Sequence, residues 1–117
     1  MGKLSTYVLD TMHGKPAAGV HIRLYRLATT TRTLVSEAVT NADGRCDAPL
    51  LYNESMQAGA YELEFAAGDY FRALGVALPE VPFVDVVVIR FGINNAAENY
   101  HVPLVVTPWT YSTYRGS

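Results

Sequence analysis

Two side chains in this sequence carry the most specific chemical promise, an imidazole at His101 and a guanidinium at Arg45. His101 interrupts the otherwise apolar run Tyr100-His101-Val102-Pro103-Leu104. An imidazole in such a run is either a satisfied structural group or a proton acceptor that works near neutral pH. Arg45 follows the turn sequence Asn41-Ala42-Asp43-Gly44. A planar guanidinium leaving a tight turn can grip a carbonyl or an anionic heterocycle through two hydrogen bonds, although a solvated turn arginine has the same pattern. Cys46 beside it reads as a small packing residue, because no histidine or helix terminus is predictably close. His13, in the turn His13-Gly14-Lys15-Pro16, and His21, on the polar face of a strand, both read as solvated. The three histidines are too scattered for a metal-ligand motif, and one cysteine excludes both an internal disulfide framework and a four-cysteine zinc site. No Gly-x-Ser-x-Gly elbow and no phosphate-cradling glycine loop is present.

The elements that must position these groups follow a period of two. Val20, Ile22 and Leu24 alternate with His21 and Arg23, the mark of a half-buried strand. Tyr61, Leu63 and Phe65 alternate with Glu62 and Glu64 in the same way. Further strands are expected over residues 5–10, 34–40, 83–91, 100–107 and 111–115. The β-branched run Phe83 to Phe91 reads as a strand covered on both faces. Only Gly68 to Gly75 competes as a helix, with Asp69 placed to cap it and Gly75 to end it. Seven or eight strands around one short helix near residues 69–74 describe an all-β, two-sheet antiparallel sandwich.

Composition narrows the function classes. The chain has 117 residues, 50% hydrophobic and 17% charged, which is one domain spanning residues 1–117. Nine Lys/Arg against eleven Asp/Glu leave no basic footprint for nucleic acid. The apolar runs fall far short of the ~20 residues that span a bilayer. Residues 1–10 lack a basic, apolar, small-residue leader, so a cytoplasmic protein is expected. Four large aromatics between Tyr100 and Tyr114 exceed what a small sandwich can bury, which predicts self-association.

Longer segments point further. The ending Tyr111-Ser112-Thr113-Tyr114-Arg115-Gly116-Ser117, the opening Leu4-Ser5-Thr6-Tyr7-Val8-Leu9-Asp10 and the turn His13-Gly14-Lys15-Pro16-Ala17 together resemble the 5-hydroxyisourate hydrolase family of transthyretin-like proteins. Asn41 to Arg45, Gly68 to Phe71 and Tyr100 to Leu104 extend the resemblance over the whole chain. It implies a transthyretin fold, a homotetramer assembled as a dimer of dimers, active sites in the channel between dimers, and no cofactor or metal. The implied reaction is hydrolytic opening of the six-membered ring of 5-hydroxyisourate, a purine-derived small molecule of urate degradation, to 2-oxo-4-hydroxy-4-carboxy-5-ureidoimidazoline. The resemblance assigns catalysis to His101, Arg45, Ser117 and the position of Tyr7. Substrate binding falls to Tyr7, Arg45, Tyr114, Arg115 and Gly116.

Two positions depart from the family pattern. Tyr7 stands where the family has a histidine, and Asn99 stands where many members have another. An unperturbed phenol is only about 0.3% ionised at pH 7.5, so Tyr7 is a poor proton acceptor where imidazole would be a good one. Reduced turnover is therefore expected. Three functions stay open at this level: a working hydrolase, a weakened or inactive paralogue or engineered variant, and a transthyretin-like small-molecule carrier.

Overall fold

A computed structural model describes residues 1–116. In chain order the elements are β1 (Leu4–Asp10), β2 (Lys15–Pro16), β3 (His21–Leu27), β4 (Arg32–Val39), β5 (Gly59–Ala66), α1 (Ala67–Ala73), β6 (Val86–Ile93), β7 (Tyr100–Val106) and β8 (Tyr111–Thr113). A 3-10 turn, Asn53–Ser55, lies between β4 and β5. The strands form two sheets of four, ordered β2-β1-β7-β8 and β4-β3-β5-β6. This is the expected sandwich with its one short α-helix.

Alternation decides what lies between the sheets. Leu4, Thr6 and Val8 of β1 meet Ile22, Leu24, Leu63 and Phe65 of the other sheet in a fully buried core. Thr6 loses no hydrogen bond in the process, because its Oγ1 donates to the Val102 carbonyl at 2.6 Å. The intervening residues Ser5, Tyr7 and Leu9 are half-buried on the outer face of their sheet. Every pairing is antiparallel except the central one, β1 with β7, which runs parallel in the register Ser5↔His101 and Tyr7↔Pro103. That register carries His101 onto the outer face beside Ser5 and Tyr7.

Three local expectations change. The strand read over residues 83–91 is β6, beginning at Val86, and only one of its faces is covered. Val86 and Val88 are exposed because they point away from the facing sheet, while Val87 and Ile89 point into the core. Asp69 does not cap α1: the cap position is Ala66, without a side-chain bond, and Asp69 lies in the first turn. The two-residue strand β2 falls inside what reads as a turn. His13 is exposed in its turn as expected, and its Nδ1 also lies 2.5 Å from Oδ2 of the fully buried Asp10. Tyr70 of α1 donates to the same oxygen at 2.8 Å, so Asp10 ties the β1–β2 turn to the helix. No helix of the described residues is long and apolar enough to cross a membrane.

Candidate functional site

The turn before Arg45 is built by Asn41. Its Oδ1 accepts the backbone N–H groups of Asp43 at 2.9 Å and Arg45 at 3.2 Å, a local pattern asparagine supplies well. Gly44 has φ +74°. Its carbonyl accepts the Val8 N–H at 2.8 Å, docking the turn against β1. A Cβ at Gly44 would meet the Val8 carbonyl oxygen at 2.6 Å and Tyr7 Cε1 at 3.1 Å, so only glycine lets the turn approach this closely. The consequence is a Tyr7–Arg45 backbone bridge, with the Arg45 guanidinium carbon 4.9 Å from the centroid of the Tyr7 ring.

His101 is fixed from two sides. Its backbone accepts from Gly116 N–H at 2.7 Å and donates to the Gly116 carbonyl at 3.2 Å. A Cβ on Gly116 would come within 3.2 Å of His101 Cβ and 3.3 Å of Cδ2, so Gly116 lies directly against the imidazole. Nδ1 lies 2.8 Å from Ser5 Oγ. Partial burial pushes the His101 pKa below its ordinary value, and the positive charge of Arg45 pushes it further the same way. The ring is therefore neutral at neutral pH and able to accept a proton.

Tyr7, Arg45, His101 and Gly116 thus meet on one outer sheet face. Tyr114 and Arg115 go elsewhere. The Arg115 guanidinium bonds Glu98 at 3.0 Å and the Asn99 carbonyl at 2.9 Å, and lies 4.1 Å over the Tyr100 ring. Tyr100 is buried, on the opposite side of β7 from His101. With Tyr114, Arg115 lines a cleft of about 310 Å³ between the β6 and β8 edges. Asn99 uses its Oδ1 to accept the Lys3 N–H at 3.1 Å. Ser117 lies outside the described residues.

Cys46 is half-buried, and burial followed by the nearby Asp47 charge pushes its thiol pKa up, away from thiolate chemistry. Among the described residues no group of three or more His, Cys, Asp or Glu is placed to hold a metal ion. Sequence reasoning singled out His101, Arg45 and Tyr7 but passed over Ser5. A hydroxyl residue on the outer-facing phase of β1 was the available signal.

Comparisons with known proteins cover the whole chain. The family model described as HIUase/Transthyretin matches residues 4–116. The chain is similar to a 5-hydroxyisourate hydrolase of Ralstonia nicotianae, 55% identical over 117 residues and covering all of both chains. Among solved structures it is similar to an (S)-allantoin synthase, with TM-score 0.93 and 45% identity, covering 99% of this chain but only 44% of that longer one. It also superposes on sea bream transthyretin in complex with thyroxine, with TM-score 0.86 and 26% identity over 97% of this chain and 94% of the other. A full-length match and the two-sheet sandwich converge: the chain belongs to the HIUase/transthyretin family.

Proposed function

We propose that this protein hydrolyses 5-hydroxyisourate, opening the six-membered ring in the breakdown of urate. The carrying observation is the meeting of His101, Arg45 and Tyr7 on one face, in a chain 55% identical to a protein of that name. Neutral His101 takes a proton from water as the water oxygen bonds to a ring carbonyl carbon. Arg45 stabilises the oxyanion that forms, a role usually worth about 2.7–4 kcal/mol in the transition state. The C–N bond of the cyclic amide then breaks, and the departing nitrogen takes the proton back from His101. Tyr7 donates a hydrogen bond from its phenol to the substrate or the water. Gly116 packs against His101, and Ser117, the next residue in sequence, keeps the role that the family resemblance gives it.

Reduced turnover at the hands of Tyr7 rests on proton affinity alone; the relatives' names carry no grade of activity. A homotetramer is part of the reading. Trp109 and Tyr111 are exposed, Trp109 stacks on an exposed Phe83 at 6.2 Å, and the site is an open sheet face that a second copy would enclose. A carrier role finds less support, because binding alone does not call for a neutral imidazole beside a guanidinium. His101→Gln separates the two readings. A hydrolase loses about 10²–10⁴ in turnover and keeps substrate-analogue binding; undiminished turnover in this variant would refute the assignment.

A further inference from the structure

Ser5 faces the same open surface as Tyr7 and stands opposite His101 in the parallel β1–β7 ladder. Its hydroxyl reaches His101 Nδ1 at 2.8 Å and makes no other side-chain hydrogen bond among the described residues. The neighbouring Thr6 turns the other way and bonds a backbone carbonyl, so the two hydroxyls of β1 have different work. With Nδ1 engaged, Nε2 is the ring nitrogen left for the open face. Which nitrogen carries the hydrogen is set by the partner of the other one.

We propose that Ser5 is the positioning residue of the site, holding His101 as the Nδ1–H tautomer with a bare Nε2 turned to the substrate. The inference rests on the reading of His101 as proton acceptor. In the attack step one water O–H bond breaks, an Nε2–H bond forms, and the water oxygen bonds to the carbonyl carbon. The resulting imidazolium has a hydrogen on each nitrogen, and Nδ1–H still donates to Ser5 Oγ. When the C–N bond breaks, Nε2–H passes its proton to the departing nitrogen and the bare Nε2 returns. Ser5 needs no rearrangement at any stage. A carboxylate in its place would make the imidazole more basic; a hydroxyl orients the ring while leaving its affinity for protons low, in keeping with the lowered pKa. The charged group acting on the ring is Arg45 on its turn.

The test reads the ring directly. Nitrogen-15 spectra of the full-length protein above the His101 pKa should show Nε2 without hydrogen. In Ser5→Ala the Nε2–H form, which free imidazole side chains favour, should become prominent. The same variant should lose about tenfold or more in kcat with KM within about threefold, because the lost interaction serves the transition state. Ser5→Thr, which keeps the hydroxyl on a strand-compatible side chain, should restore both the spectrum and kcat. An Nε2–H ring in the unmodified protein, or a ring spectrum unchanged by Ser5→Ala, overturns the proposal. Should the ring respond to Ser5 as described while the protein never hydrolyses 5-hydroxyisourate, the hydrolase reading falls and the positioning role of Ser5 stands.

Discussion

The Arg45 guanidinium lies over the Tyr7 ring, its carbon 4.9 Å from the centroid, and the two residues are also joined by a backbone bridge. One turn therefore fixes both the cation of the site and the aromatic wall beneath it. A charge held over a ring face is attracted by the ring's quadrupole, and here it also acts on His101. Arg45→Ala should reduce turnover by about 10²–10³, the usual loss for an oxyanion donor. Removing the cation also makes the imidazolium easier to form, so the His101 pKa rises. The acid limb of the pH–rate profile should move to higher pH. A pH profile of kcat/KM on both proteins checks the sign.

Tyr7→His restores a group able to share a proton near neutrality, and should raise turnover by at least about tenfold. The fold should be indifferent, since the position is half-buried on an outer face. A partial gain would call for Asn99→His as well, because residues acting as a unit are not additive. Should steady-state kinetics show no change from an already fast parent, Tyr7 is a competent member of the site and the weakening assigned to it is wrong.

Asp10 gives the fold a pH dependence. Burial raises its pKa, but hydrogen bonds from His13 and Tyr70 and the His13 charge outweigh this and leave it below the ordinary value. A lowered native pKa means that the unfolded chain binds more protons, so stability rises with pH through this range. The contribution is present above about pH 5 and is lost as the pH falls through the native value. Urea midpoints measured from pH 7 down to 3 should fall most steeply below about pH 4. Tyr70→Phe, which removes one donor to a buried carboxylate, should cost about 1–3 kcal/mol at pH 7.

Gly44→Ala strikes the turn itself. Its φ of +74° and the 2.6 Å approach to the Val8 carbonyl oxygen leave no room for a methyl. Chemical denaturation should show a loss of roughly 1–3 kcal/mol, and turnover should fall because Arg45 loses its seat over Tyr7.

Much of this was legible in the residues. The alternations around Ile22 and Leu63 gave β3 and β5, and the Asn-Ala-Asp-Gly turn placed Arg45 at the mouth of a tight reversal. What escaped depends on contacts distant in sequence. The parallel β1–β7 pair joins residues 96 positions apart, and no local pattern announces it or the Ser5–His101 bond it creates. The β-branched run in β6 looks the same whether one face or two are covered. In β4 a register shift opposite Leu24 and Tyr25 breaks the alternation, so consecutive Leu34 and Val35 are both exposed. His13 is an exposed turn residue as expected, but its bond to Asp10 went unforeseen because Asp10 lies at the strand end, where a charge is not expected to be buried.

The most direct test is the decay of freshly generated 5-hydroxyisourate, followed by ultraviolet absorbance at neutral pH with and without the protein. Decay should quicken in proportion to protein concentration, and quicken far less when His101→Gln replaces the unmodified chain. Decay at the buffer rate at every protein concentration would contradict the assignment of this site as a hydrolase.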